Sequence, residues 1–341
     1  MRAARIFGDL TLSVVDMDVP DPAAGEVLVQ IHAAGVCGTD LHILDGMIKP
    51  DPYPMTLGHE AAGVVAAAAP GTRYAEGDRV AVYNKLFCGE CEQCLGARNN
   101  ICDNEPGQLG FNQDGGDQEY VLVPERNLVP IPDAVDFASA AVITCAGMTA
   151  VHATKLSALQ IAQTAIVNGI GGVGILVVQA ARNAGARVIA VADSAEKSQF
   201  ALDHGATDGI VIASPADYAT LPGLVRDLTS GRGADVFFEL VGTTESMLAG
   251  VRSLAKAGRF VSTGYTDQSL SIHPIEFILS ETSLVSTVAA TRQDLHDALH
   301  LAASGAMAVP VAAHYPLDGV MTALDALRAR AVLGRQVLDL A

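Results

Sequence analysis

Six consecutive residues, Gly169-Ile170-Gly171-Gly172-Val173-Gly174, constrain this chain more than any others. They follow a short apolar run, TAIVN at 164–168, and precede a helical pattern, ILVVQAARNAGA. A strand that enters a helix through so many glycines makes a turn too tight for side chains. The glycines also let backbone approach a pyrophosphate, and the helix N-terminus adds partial positive charge. Asp193 closes the next apolar run, RVIAVAD, about 20 residues further on. A carboxylate there bonds both ribose hydroxyls and repels a 2′-phosphate. The pattern predicts NAD, rather than NADP, on Gly169, Gly171, Gly172, Val173, Gly174 and Asp193.

The same rhythm continues around that turn. Strand-like runs at 164–168, 187–191, 209–212, 235–240 and 259–263 alternate with helix-like segments. Such alternation predicts an α/β fold with a doubly wound parallel sheet of the Rossmann type over residues 150–290. Residues 1–149 differ in texture. Short alternating strands broken by Gly and Pro occur there, such as 120–123 and 26–34, with Val27, Val29 and Ile31 on one face. They predict an irregular, mostly antiparallel β domain. The tail, 291–341, has two helix-like patterns around a short strand at 310–314. It ends in an apolar strand at 336–340 and is read as returning to the first domain. A length of 341 residues suits two domains, and a composition that is 50% apolar can fill their cores.

The formal net charge is −17, with no Lys/Arg-rich run to offset it, which argues against nucleic acid as a partner. The first residues lack the pattern of a signal peptide. Charge, Gly or Pro interrupts every long apolar stretch, so no membrane span is expected. The expected location is the reducing cytoplasm, where cysteines are more often ligands or nucleophiles than bridges.

Four of the six cysteines, Cys88, Cys91, Cys94 and Cys102, form a C-x2-C-x2-C-x7-C cluster. Two-residue spacers let thiolates converge on one ion, and four thiolates close a tetrahedral shell. Zinc is expected, with an iron–sulfur cluster as the other soft-ligand centre. A closed shell keeps no open position, so the cluster is expected to clamp a lobe. Cys37, in GVCGTDLH, and Cys145, in VITCAGMTA, stand apart, with His59 between them in LGHEAAG. Each alone reads as a small buried hydrophobe or an ordinary core residue. Together, two thiolates and one imidazole make the three-ligand zinc set that leaves a fourth position open.

These segments, with EGDRVAV at 76–82 and GRQVL at 334–338, resemble the zinc-containing medium-chain alcohol dehydrogenases in order and spacing across essentially the whole chain. The resemblance implies a GroES-like catalytic domain (1–149 and 291–341) and two zinc ions per chain. Catalytic zinc would sit on Cys37, His59 and Cys145, and structural zinc on Cys88, Cys91, Cys94 and Cys102. It implies that Glu60 can approach the metal, that Asp40 orients His59, and that Thr39 and His42 relay a proton. It also implies that Lys197 and Arg335 contact the cofactor, Arg335 at the pyrophosphate. The bland readings are a Gly-Thr-Asp turn, surface residues at His42 and Arg335, and a strand-edge carboxylate at Glu60, each set below the functional one.

The implied reaction is reversible hydride transfer between NAD and a primary or secondary alcohol, giving an aldehyde or ketone. The proton leaves through Thr39, the cofactor ribose and His42, in an apolar cleft between the two domains. TCAGMTA stands where the related polyol dehydrogenases resemble EPL, which favours a simple, aryl or allylic alcohol. Asp117-Gln118 departs from the family's aromatic or small apolar residue after Gly115-Gly116, which puts the pocket wall in question. The expected partner is a small alcohol or carbonyl compound, and the expected assembly a homodimer or homotetramer. A non-catalytic NAD-binding sensor and a physiological carbonyl reductase are the competing readings. A zinc-free enoyl or quinone reductase would lack Cys37, His59 and Cys145.

Overall fold

Val27, Val29 and Ile31 are completely buried, on a strand that runs from Glu26 to Val36. This strand is the spine of an antiparallel sheet. Ala61–Ala68 pairs along one side of it. Its other side is shared: Tyr120–Pro124 takes residues 26–30, and Arg335–Asp339 takes residues 33–36. That second pairing carries the strand two residues beyond the expected 26–34, so it delivers Cys37 directly to the start of a short helix, Gly38–Leu44. Arg79–Val82 and Leu128–Pro130 extend the sheet on one flank, and Val311–Pro316 adds a parallel strand on the other. Fully burying each such Val or Ile contributes about 1.5–3 kcal/mol.

The computed structural model describes residues 1–330 and 332–341. Its backbone divides into two units, Met1–Met148 with Ala290–Ala341, and Thr149–Ala289. The antiparallel sheet belongs to the first. The second holds a six-stranded, wholly parallel sheet whose first-to-last chain order reads 3-2-1-4-5-6 across the sheet. Five of its strands lie where the apolar runs put them. The sixth, Ser283–Ser286, is half exposed and polar at both ends, so it carries no apolar run to read.

One helical run, Phe137–Leu156, is long and apolar enough to cross a membrane by length and composition. In sequence Gly147 interrupts it. In the fold Ile143–Gly147 forms a π turn that keeps the run continuous, and 67% of its most apolar window is buried inside the protein.

Candidate active site

The four clustered cysteines lie on a short excursion of the first unit. Cys91 caps the helix Glu92–Leu95, its sulfur accepting from the Cys94 N–H. Backbone N–H groups of Cys88, Glu90 and Cys91 also point at sulfurs, at 3.3–3.5 Å. The sulfur separations are 3.9 Å for Cys88–Cys94, 3.8 Å for Cys91–Cys102 and 3.5 Å for Cys88–Cys102. Four sulfurs about 2.3 Å from one zinc ion at tetrahedral angles lie about 3.8 Å apart, so the set fits that ion. It does not fit disulfides, and all six cysteines are unpaired. The thiols do not share charge evenly. N–H bonds from Glu90 and Cys91 hold Cys88 down to about 6, whereas burial and the neighbouring sulfurs push Cys94 up to about 12. A dication on the four sulfurs removes that conflict.

Cys37, His59, Glu60 and Cys145 form the second group, with their ligand atoms all within 4.8 Å of one another. Each arrives on a different element. Cys37 caps the helix Gly38–Leu44, His59 and Glu60 precede the strand Ala61–Ala68, and Cys145 sits in the π turn. An extra residue in a helical turn re-aims a side chain, which is why π turns gather at functional sites. Asp40 ties the group together. Its Oδ2 accepts the Cys37 N–H at 2.8 Å, and its Oδ1 lies 3.3 Å from His59 Nδ1. With Nδ1 turned to Asp40, Nε2 is the nitrogen left to ligate, as a carboxylate behind a ligating imidazole arranges in metal sites. Interaction with Cys145 and His59 holds the Cys37 thiol well below its ordinary range despite burial, while the same pairing and burial push Cys145 up. Burial opposes charge on His59, but Asp40 and Cys37 outweigh it and raise the imidazole. Two sulfurs and a nitrogen converging in this way suit a zinc ion with an open position.

Glu60 is fully buried and bonds the guanidinium of Arg335, itself 5% exposed. Its Oε1 is 3.8 Å from His59 Nε2. Burial raises Glu60 to about 7 against the pull of Arg335. Room for the carboxylate comes from Gly35, where an added Cβ would come 2.0 Å from Glu60 Oε2. Arg335, expected at the cofactor pyrophosphate, bonds Glu60 in the structure. A carboxylate this deep needs a cation, and Arg335 is the one that reaches it. Thr39 Oγ1 lies 3.8 Å from Cys37 Sγ, and His42 is three residues on along the same helix face. Asp117 and Gln118 are 3% and 2% exposed, and their backbone tethers Leu57 and the N-terminal strand. Their backbone braces the segment before His59.

In the second unit, Thr164–Asn168 runs into Gly169 at φ +101°, and the helix Gly174–Asn183 follows. A Cβ on Gly174 would come 2.0 Å from the Gly169 carbonyl oxygen, whereas one on Gly171 would meet nothing within 4 Å. Gly174 thus serves packing, and Gly171 leaves open space for a ligand. Gly171→Ala should therefore leave the thermal midpoint unmoved and weaken NAD by about tenfold, or about 1.4 kcal/mol. Fluorescence titration with NADH checks this, and unchanged affinity would remove the cradle from its assigned place. Lys197 Nζ donates to Asp193 Oδ2 at 2.8 Å, which ties the two residues together.

Sequence reading missed a buried network beside the cradle. Tyr218 donates to Asn168 Oδ1 at 3.0 Å, and Asn168 Nδ2 donates to Glu239 Oε2 at 3.0 Å. Glu239 Oε1 accepts the N–H groups of Val241 and Gly242 at 2.7 and 2.8 Å. The signal was present: Asn168 and Glu239 are polar residues closing the apolar runs TAIVN and DVFFE.

Comparison with known proteins gives two family matches. A family model described as "Alcohol dehydrogenase GroES-like domain" matches residues 23–133, and one described as "Zinc-binding dehydrogenase" matches residues 172–304. An alcohol dehydrogenase of Moraxella sp. (strain TAE123) is 32% identical, over 99% of each chain. The chain belongs to the zinc-containing medium-chain alcohol dehydrogenases. A NAD-dependent alcohol dehydrogenase of Sulfurisphaera tokodaii is 31% identical, again over 99% of each chain. A solved NAD-dependent alcohol dehydrogenase is 30% identical, with full coverage of both chains and a TM-score of 0.92. As a member of the zinc-containing medium-chain alcohol dehydrogenases, the chain takes zinc and NAD, and its two donor groups fit two zinc ions.

Proposed function

We propose that this zinc- and NAD-dependent alcohol oxidoreductase acts on simple, aryl or allylic alcohols, primary or secondary, and reduces the matching aldehydes or ketones when NADH is supplied. The observation that carries the reading is the convergence of Cys37, His59 and Cys145, with Glu60 beside them. Cys37 and Cys145 would hold the catalytic zinc as thiolates and His59 through Nε2. Bound zinc makes a substrate hydroxyl more acidic, and bound NAD accepts the hydride.

The chain's own residues do the rest. Asp40 fixes the His59 ring and the Cys37 backbone at once. Thr39 Oγ1, close to Cys37 Sγ, accepts the hydroxyl proton as it gives up its own, and that proton leaves by way of His42, on the same helix face, toward solvent. Gly169, Gly171, Gly172 and Val173 would cradle the pyrophosphate, with Gly174 letting the helix pack close behind them, and Asp193 would receive the ribose hydroxyls. Lys197 holds Asp193 in place. Arg335 is assigned first to Glu60 and through it to the metal site. We assign the enzyme to the cytoplasm, on the support of six unpaired cysteines, and to a homo-oligomer of two or four chains.

The test is kcat/KM for a panel of aliphatic, aryl, allylic and polyol alcohols with NAD, and for the matching carbonyl compounds with NADH. Simple, aryl or allylic alcohols should exceed polyols by about tenfold or more, a difference of about 1.4 kcal/mol in transition-state binding. Equal or better polyol turnover would overturn the substrate class. Absence of turnover with every compound, NADH binding intact, would favour the sensor reading.

A further inference from the structure

Two histidines outside both cysteine groups stand in a chelating arrangement. The helix Arg292–Ala303 begins at a Thr291–Asp294 capping box and buries Asp294, Leu295, Ala298 and Leu299. Its opposite face exposes His296 and His300, four residues and about one turn apart. Their Nε2 atoms are 3.2 Å from each other. The ring centroids are farther apart, at 4.3 Å, and the ring planes meet at 47°. The rings therefore splay from the point where their nitrogens converge.

That convergence matches a metal bite. Two imidazole nitrogens each about 2.0–2.1 Å from one ion, at angles between a right angle and a tetrahedral one, lie about 2.9–3.4 Å apart. The far side of His296 is also prepared. Asp297 Oδ1 lies 3.4 Å from His296 Nδ1. Gln293 Nε2 is also 3.4 Å from that nitrogen, and it donates to the same Asp297 oxygen at 2.8 Å. A carboxylate at Nδ1 favours the tautomer that carries its proton there, which leaves the Nε2 lone pair for an ion. Imidazole nitrogens select zinc, nickel or copper over magnesium or calcium, which prefer oxygen. A bare hydrogen bond between the two rings is the ordinary alternative for such a pair.

We propose that His296 and His300 form a third metal site of this enzyme, a surface chelate for one divalent first-row transition-metal ion, distinct from the two zinc sites. Water or a group of another molecule completes its shell.

Enzyme loaded with its two zinc ions, freed of loosely held metal by gel filtration, is titrated with nickel chloride by calorimetry, with zinc content measured before and after. One nickel ion per chain with zinc retained is the expected result, and magnesium chloride should give no heat of binding. His300→Ala, an exposed change that leaves alcohol oxidation intact, should weaken nickel by at least about tenfold, and Asp297→Asn by a smaller factor. Wild-type enzyme that takes up no nickel, or His300→Ala that binds it as tightly as wild type, would overturn the site. Loss of zinc in step with nickel uptake would also overturn it, since the ion would then be exchanging into the cysteine groups.

Discussion

Cys37→Ser should lower NAD-linked alcohol oxidation by at least about 10³-fold, a loss of about 4 kcal/mol in transition-state stabilisation. Serine keeps the shape of the helix cap but is a poor ligand, so zinc at Cys37, His59 and Cys145 loses one of its three protein donors. Metal analysis gives the second readout. Zinc should fall from two ions per chain to one, because the Cys88–Cys91–Cys94–Cys102 set keeps its own donors. His59→Ala should behave alike. Cys102→Ser should do the reverse, disturbing the lobe around 88–102 while Cys37, His59 and Cys145 stay as they are. Turnover near the wild-type rate in Cys37→Ser, with two tightly held zinc ions still present, would refute the assignment of both groups.

Arg335→Leu should be strongly destabilising. The guanidinium is the cation bonded to Glu60, both side chains are almost entirely inaccessible, and removing one partner leaves a buried carboxylate alone. Such breaks cost about 3–5 kcal/mol. The carboxylate occupies the room that Gly35 leaves and is completely buried, so water does not replace the lost partner. The double variant Glu60→Leu with Arg335→Leu should recover most of the loss, since two apolar side chains leave no charge uncompensated. Denaturant unfolding of all four proteins gives the coupling energy. Losses that simply add would mean that the pair is not the unit described above.

What the residues made legible by themselves was local, while the resemblance reached across the chain to join Cys37, His59 and Cys145. The glycine turn, the four close cysteines and the apolar runs of the parallel sheet each lie within a few residues, and chain spacing alone brings their atoms together. Less was legible where the partner is distant. Glu60 and Arg335 are 275 positions apart, and nothing in GHEAAG or GRQVL marks them as a pair. Gly35 looks like any glycine at a strand end until the carboxylate above it is seen. Asp117 reads as a misfit in a substrate wall, yet its backbone holds Leu57 at 2.9 Å. The π turn was hidden because Gly147 resembles a helix break in sequence. Asn168, Tyr218 and Glu239 come from three elements of the second unit, so only the folded sheet reveals their chain of bonds.

The strand Arg335–Asp339 has a consequence for the order in which the protein is made. It lies along residues 33–36 of the spine strand, and it carries the cation for Glu60. A ribosome that has reached residue 330 has therefore already released Cys37, His59, Cys145 and all of Thr149–Ala289, but not the segment that finishes the sheet beside Cys37. The parallel-sheet unit, unbroken in sequence, can fold first, as domains commonly do during synthesis. The unit that holds the cysteines must wait with Glu60 unpaired and one side of its central strand open. Loading of the Cys37, His59 and Cys145 group is then expected after residue 339 has emerged, whereas the four clustered cysteines are complete once residue 102 is out. An unfinished chain is the form most exposed to misplaced zinc and to strand pairing with its neighbours.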